Sequence, residues 1–159
     1  MEPQRAPSIR EMSRDEIDRV LARNYVGRIA YSHRDRVDIE PLHYVYEDGW
    51  IYGRTTYGTK LSTIERNYWV AFEVDEIEEM FRWRSVVVRG GFYLLSPPET
   101  LKDREYLEHA INLLRRLTPG IFTDADPVPE RTSVFRIAAQ EVRGLESVPV
   151  PLGSASTSE

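Results

Sequence analysis

The sequence predicts a mainly β fold with a few flanking helices, built as an antiparallel barrel of about six strands. Short β-rich segments follow one another through turns such as Glu47-Asp48-Gly49, which is typical of a hairpin. Helical periodicity covers few segments, and strands do not alternate regularly with helices, which argues against a doubly wound parallel sheet. A chain of 159 residues suits one such domain.

The first predicted elements are an arm, a short helix and a strand. Residues 1–12 carry two prolines and no periodicity, which predicts a flexible arm. Ser13 followed by Glu16 forms a capping box, which predicts a helix that closes near Asn24. The segment 26–31 is short and β-branched, and this composition is typical of a strand.

The middle of the chain is predicted to be mostly β. Its predicted strands are residues 37–46, 50–52, 69–74 and 85–95. Pro41 interrupts the first of these, which suits an edge strand or a bulge. Gly90-Gly91 predicts a bulge in the last of them. Between them, residues 60–67 favour a helix with Leu61 and Ile64 on one face.

The C-terminal third contains the clearest helix. An apolar stripe predicts a helix over 101–117, and Pro119-Gly120 stops it. A last strand is predicted at 133–142 after a proline-containing loop. The final residues are rich in Pro, Gly and Ser, which favours a disordered tail. The prediction thus divides the chain into an arm (1–12), one domain (13–147) and a tail (148–159).

Composition excludes several function classes. The net charge of −5 argues against nucleic acid as a partner, and the absence of cysteine excludes disulfides and thiolate zinc sites. The three histidines lack metal-ligand spacing, and neither a P-loop nor a G-x-S-x-G elbow is present. No apolar run reaches the roughly 18 residues that a membrane span needs, and no signal peptide is visible, so we expect a cytoplasmic protein.

The turn that follows the strand at 50–52 is a candidate phosphate site. A strand ends there in a polar, Gly-containing turn that opens a predicted helix, whose N-terminus favours an anion. A cation in the first helical turn is unfavourable unless an anion binds beside it. The candidate phosphate partners are Arg54, Thr55, Thr56, Thr59 and Lys60. An ordinary polar turn with a surface lysine is the alternative.

A second informative segment spans residues 81–90. It contains three arginines and no acid within a chain that is acidic overall. Its aromatic and guanidinium groups suit a planar anionic ligand. The alternative is an amphipathic barrel strand with a solvated arginine face.

In this order, these segments make the chain resemble the pyridoxamine 5′-phosphate oxidase-like flavin proteins, and more closely their nitroimidazole-reductase-like branch. The matching stretches are residues 25–30, 41–46, 48–52, 58–60, 67–72 and 83–90, and the resemblance spans about 14–145. It implies an FMN-binding, six-stranded antiparallel split β-barrel.

The resemblance also implies a homodimer that holds FMN at the subunit interface. One strand would lie along the flavin ring, one turn would bind the phosphate with Lys60 as main charge partner, and one segment would come from the other subunit. The implied cofactor-binding residues are Pro41, Leu42, His43, Tyr44 and Val45, then Arg54, Thr55, Thr56, Tyr57, Gly58, Thr59 and Lys60, and finally Trp83, Arg84, Ser85 and Val86.

The function implied by this resemblance is that of an FMN-dependent oxidoreductase acting on a small molecule with a nicotinamide electron donor. A non-enzymatic flavin sensor or carrier would use the same site. Relatives of this fold also use a deazaflavin or haem, so these cofactors stay open. A barrel that binds single-stranded nucleic acid is a third alternative, which the net charge disfavours.

Overall fold

The computed structural model describes residues 5–56, 61 and 68–152, which form two helices and nine strands of one antiparallel sheet. The helices are Arg14–Arg23 (α1) and Leu101–Leu114 (α2). The strands are Arg5–Glu11 (β1), Val26–His33 (β2), Arg36–His43 (β3), Val45–Glu47 (β4), Trp50–Thr55 (β5), Tyr68–Glu79 (β6), Arg82–Leu94 (β7), Ser133–Ala138 (β8) and Glu141–Pro151 (β9). In these ranges no helix is long and apolar enough to span a bilayer.

The sheet is hydrogen-bonded in the order β3-β2-β6-β7-β8-β5-β4, with β9 added to β7 and β1 added to β9. β7 is long enough to pair with β9 through residues 83–89 and then with β8 through residues 92–94. This change of partner curls the sheet into a split barrel. The predicted fold class is confirmed, although the described part of the chain has more strands than expected because β1, β4 and β9 add to the barrel.

Gly90 lies where β7 changes its partner, and the predicted bulge at this place is wrong. The register between β6 and β7 runs unbroken through Gly90 and Gly91, and it shifts instead between Ile77 and Glu79. A Cβ atom on Gly90 would lie 1.7 Å from the carbonyl oxygen of Ala138. The glycine is therefore needed for the close approach of two backbones.

Two apolar clusters hold the fold together. Alternate side chains of the strands fill the barrel, among them Ile29, Tyr44, Phe72, Val86, Val88, Phe92, Phe135 and Ile137. The second cluster lies between α2 and strands β5 and β8, and includes Tyr52, Ala110, Leu113, Leu114 and Val134. α2 thus covers one side of the barrel and fixes the segment that follows it.

The capping box predicted for α1 is present. The Ser13 hydroxyl accepts from the Glu16 backbone N–H at 3.2 Å, and the Glu16 carboxylate accepts from the Ser13 N–H at 3.2 Å. α2 ends at residue 114, earlier than predicted, and residues 115–117 form a turn. The helix predicted over 60–67 lies outside the described residues, apart from Leu61.

Both terminal segments differ from the predicted arm and tail where the structure describes them. Residues 5–11 form β1, which pairs with β9, and β9 continues to Pro151. The backbone hydrogen bonds to β9 hold β1 in place, although the sequence of β1 has no apolar alternation that would predict a strand. Arg10 adds ion pairs to Glu16 at 2.6 Å and Glu146 at 2.7 Å.

Candidate functional site

A cavity of about 450 Å³ opens beside the ends of β3 and β5 and the segment that follows α2. Its described lining residues are Tyr25, His43, Arg54, Leu114, Arg116, Leu117, Thr118, Pro127, Val128 and Arg131. Within this described lining there are three arginines and one histidine and no carboxylate. The volume is in the range of small-molecule sites, and the charge favours an anion.

The end of β3 presents alternate side chains to the cavity side and to the barrel. Leu42 and Tyr44 point into the core, where the Tyr44 hydroxyl donates to the Leu21 carbonyl at 2.7 Å. Pro41 and His43 are exposed on the other face. The His43 ring lies parallel to that of Tyr25, with 6.3 Å between ring centroids. Of the predicted flavin strand, His43 therefore lines the cavity.

β3 is also an edge strand, which bears on its predicted role. Among the described strands it pairs with β2 alone, through residues 36–43. One row of its backbone N–H and C=O groups therefore faces away from the sheet, as in other edge strands. Such a row suits the polar edge of a planar ligand, and the role of this strand in supplying backbone groups to a flavin stays a prediction.

Arg54 forms a buried ion pair with Asp126. The guanidinium donates to both carboxylate oxygens at 2.7 and 2.8 Å, and the two side chains are 7% and 1% exposed. Backbone N–H groups of Phe122 and Val128 donate to the same carboxylate at 3.0 Å each. The Arg54 guanidinium, helped by these N–H donors, holds the pKa of Asp126 well below its usual range.

The Arg54–Asp126 pair ties the segment after α2 to β5. Nη1 of Arg54 also donates to the Arg131 carbonyl at 3.3 Å. The charge of Arg54 is therefore largely compensated by Asp126. Its predicted contact with a phosphate stays a prediction, and any phosphate there must share the guanidinium with this carboxylate.

The rest of the predicted phosphate turn is only partly described. Thr55 is buried at the end of β5, and Thr56 follows it half-buried. Tyr57, Gly58, Thr59 and Lys60 lie outside the described residues. The role of Lys60 as phosphate partner therefore stays a prediction.

The third predicted segment, Trp83–Val86, is not among the described residues that line the 450 Å³ cavity. Val86 is buried inside the barrel. Arg84 pairs with Glu146 at 2.6 Å and Glu76 at 3.5 Å. The structure of one chain thus separates this segment from the cavity, and its predicted role depends on a second copy.

The sequence did not single out Arg116, Arg131 or Asp126. Arg116 follows α2, and the other two lie in the irregular segment between α2 and β8. A loop carries no periodicity that could show where its side chains point. The one available signal was the pair of basic residues at 115–116 after the apolar stripe of the helix.

Comparisons with known proteins agree with this architecture. The family model described as pyridoxamine 5′-phosphate oxidase matches residues 13–146. An uncharacterized protein of Mycobacterium tuberculosis is 33% identical over 133 residues, which are 76% of this chain and 87% of that protein.

Solved structures give the same result. A FAD-binding protein from Mesorhizobium loti is 28% identical with a TM-score of 0.67, over 90% of this chain and 99% of that chain. A candidate 5-nitroimidazole antibiotic resistance protein from Bacteroides thetaiotaomicron shares the fold, with a TM-score of 0.65, 13% identity and coverage of 94% and 95%. The resemblance inferred from the sequence is confirmed.

Proposed function

The chain belongs to the pyridoxamine 5′-phosphate oxidase family, and on that premise we propose that it is an FMN-dependent oxidoreductase that binds its flavin where two copies meet. The flavin would supply the electron- and hydride-transfer chemistry. The protein would bind it, orient it and set its electrostatic surroundings. The substrate would be a small molecule, and the electron donor a nicotinamide cofactor.

One observation carries the proposal. The end of β3 and the end of β5 border the same cavity, through His43 and Arg54. The edge offers backbone groups to a planar ring, and the lining offers positive charge to an anionic tail. A flavin mononucleotide combines a planar ring with such a tail, so the described residues fit this cofactor.

An apolar outer face on β2, β3 and β6 supports the homodimer. We define it by Ala30, Val37, Ile39, Trp69 and Ala71, which point away from the barrel core. Val37, Ile39 and Trp69 are 78%, 66% and 49% exposed. Register pairing places Ala30 between Ile39 and Ala71. Contiguous exposed apolar side chains of this kind mark an interface, and we assign it to a second copy.

Symmetry links this face to the predicted flavin site. Pro41 pairs with Arg28, and Ser85 pairs with Asp75, so both lie on the same side of the sheet as the apolar outer face. In a two-fold dimer the same patch meets itself. A dimer across this face would therefore bring β7 of one protomer toward β3 of its partner, as the proposed shared site requires.

FAD is a second candidate cofactor. The Mesorhizobium loti protein, which is similar over nearly its whole length, is described as FAD-binding. Mass spectrometry of the flavin released from purified protein would distinguish the two. Purified protein that is colourless and takes up neither flavin would contradict the proposal.

The phosphate contact is tested by Lys60→Ala. We expect this variant to weaken FMN binding by about 1.5–3 kcal/mol, as for a hydrogen bond to a charged group, and to leave riboflavin binding unchanged. Lys102, the other lysine of the sequence, gives the matched control Lys102→Ala. An equal loss for FMN and riboflavin would show that Lys60 does not contact phosphate.

Catalysis is tested separately from binding. Reduction of the bound flavin by NADH or NADPH in steady-state turnover would support an enzyme. Tight flavin binding without turnover by either donor would favour a sensor or carrier.

A further inference from the structure

We propose that the two-fold axis of the dimer runs between β2 and β6 and brings Arg28, Glu73 and Asp75 of both copies together, so that the copies associate more tightly as the pH falls. The inference rests on the proposed function, because it concerns the same dimer across the apolar outer face. It adds which side chains meet at the axis and how association responds to acid.

The strand order of the sheet determines where the axis of such a dimer lies. The proposed shared site requires β7 of one protomer to face β3 of its partner. In the order β3-β2-β6-β7, the line midway between these two strands runs between β2 and β6. A two-fold axis along this line places β3 opposite the partner's β7 and β2 opposite the partner's β6. An axis across the strands would instead place β3 on itself.

Register pairing identifies the side chains beside this axis. Between β2 and β6, Ala30 pairs with Ala71 and Arg28 pairs with Glu73, all on the side of the apolar outer face. Ala30 would thus meet the partner's Ala71, and Arg28 would meet the partner's Glu73. The alanine side chains are short, so the two sheets can approach closely, and the longer side chains of the neighbouring pair then touch across the axis.

Each protomer brings one cation and two carboxylates to the axis. Nη1 of Arg28 donates to Asp75 at 3.3 Å and lies 3.6 Å from a carboxylate oxygen of Glu73. The Ser85 hydroxyl donates to Glu73 at 3.1 Å. Both carboxylate side chains are only 28% exposed before any partner covers them. Burial, and then a hydrogen bond shared with Asp75, raise the pKa of Glu73 above its usual value.

The dimer would bury more negative than positive charge in this cluster. With two carboxylates and one guanidinium from each copy, the axis would hold four negative charges and two positive charges. The other described charged or titratable side chains near it on this side of the sheet are His43 on β3, Arg89 on β7, Glu141 and Arg143 on β9, and Glu11 on β1. Arg143 donates to Glu11 at 3.2 Å, and Arg89 pairs in register with Glu141. These four side chains therefore balance one another and leave the excess at the axis uncompensated.

Protons relieve this excess of carboxylate charge. The partner removes water from the cluster and adds like charges, which raises the pKa of Glu73 further. The dimer then binds more protons than two separate monomers. By linkage, its dissociation constant falls as the pH falls toward the raised pKa, by up to about tenfold per pH unit for each proton taken up. His43 would lie opposite the partner's Ser85, which pairs in register with Asp75, so its protonation would act in the same direction.

Sedimentation of the purified protein at a fixed FMN concentration, between about pH 8 and pH 5.5, measures the dimer dissociation constant. We expect the constant to fall at least about fivefold over this range. Glu73→Gln keeps an acceptor for the Ser85 hydroxyl and removes the charge, so its dimer should be tighter at the alkaline end and respond less than half as much to acid. Glu108→Gln, at an exposed site on α2, is the matched control and should keep the full response.

A second variant tests the cation at the axis. Arg28→Gln removes the positive charge and leaves the carboxylates of both copies uncompensated. Its dimer should be weaker than the wild-type dimer at about pH 8, and the difference should shrink toward pH 5.5 as the carboxylates take up protons. An equal loss of affinity at both pH values would contradict the proposed cluster.

The two proposals fail in different ways. A protein that is monomeric at every pH lacks the proposed dimer, and both proposals are then wrong about it. A dimer whose dissociation constant does not change with pH, or changes equally in Glu73→Gln, would overturn only this inference. If the wild-type dimer is too tight to dissociate, the same comparisons are made in the presence of Ile39→Ala, which removes part of the apolar contact and populates the monomer.

Discussion

Removal of the Arg54 guanidinium should cost a large part of the stability of this domain. Arg54→Met keeps an apolar stem and deletes the two hydrogen bonds to Asp126, at 2.7 and 2.8 Å. The carboxylate then stays buried with only its two backbone donors. Breaking a buried pair in this way costs about 3–5 kcal/mol. The whole free energy of unfolding of a typical domain is only about 5–15 kcal/mol.

The assay is urea unfolding followed by tryptophan fluorescence, with the slope of the transition checked for two-state behaviour. Arg115→Met, at an exposed site after α2, should change the free energy of unfolding by less than about 0.5 kcal/mol. Arg54→Met combined with Asp126→Leu should recover part of the loss, since apolar replacement removes both buried charges but leaves the backbone N–H groups of Phe122 and Val128 without their acceptor. A loss below about 1 kcal/mol for Arg54→Met would refute the reasoning.

The Arg54–Asp126 pair should also make the stability of the protein depend on pH. Because the pKa of Asp126 is depressed in the folded protein, its contribution to stability is complete above the ordinary carboxyl pKa. It is lost as the pH falls toward the depressed value. The double variant lacks this carboxylate and should lose less stability between neutral and acidic pH than the wild type.

Three further predictions concern other parts of the molecule. The hydrogen bonds from Arg23 lower the pKa of Glu76 from 4.5 to about 2, so its contribution to stability is lost as the pH falls through that interval. Glu76→Gln should flatten the acid unfolding curve there, and an unchanged curve would contradict this. Gly90→Ala places a Cβ 1.7 Å from a backbone oxygen of β8 and should cost at least about 1–3 kcal/mol in a thermal melt. An unchanged thermal midpoint in Gly90→Ala would mean that β7 and β8 can move apart at this point without loss of stability. Ile39→Glu should convert the proposed dimer to a folded monomer in sedimentation, whereas Leu101→Glu, at an exposed site on α2, should not. A dimer that tolerates Ile39→Glu would exclude the apolar outer face as the interface.

Local features of the fold were predictable because their causes lie within a few residues. The hairpin between β4 and β5 follows from Asp48 and Gly49, whose φ angles of 48° and 81° match a two-residue turn with positive φ at both positions. The capping box of α1 was readable for the same reason. β1 was not, because its order comes from pairing with β9, more than a hundred residues away in the chain.

The candidate site shows the same division. The sequence pointed to the turn after β5 and to the strand around His43, because charged, polar and glycine residues there form a recognisable local pattern. The sequence pattern predicted that Arg54 binds a phosphate, but it did not reveal the ion pair with Asp126, which lies 72 residues later in the chain. A partner so distant in the sequence cannot be identified from local patterns. The irregular loop that carries Asp126 also lacks the periodicity that would show which way its side chains point.

The sequence by itself determined the antiparallel β class, the ends of the first helix and the family. All three follow from the order and spacing of residues that are near one another in the chain. Only the tertiary structure decided that β3 is an edge strand, that Arg54 is bound by a carboxylate, and that Arg116 and Arg131 meet His43 around one cavity. These facts depend on which distant segments the folded barrel brings into contact, because burial and charge compensation are properties of the assembled chain.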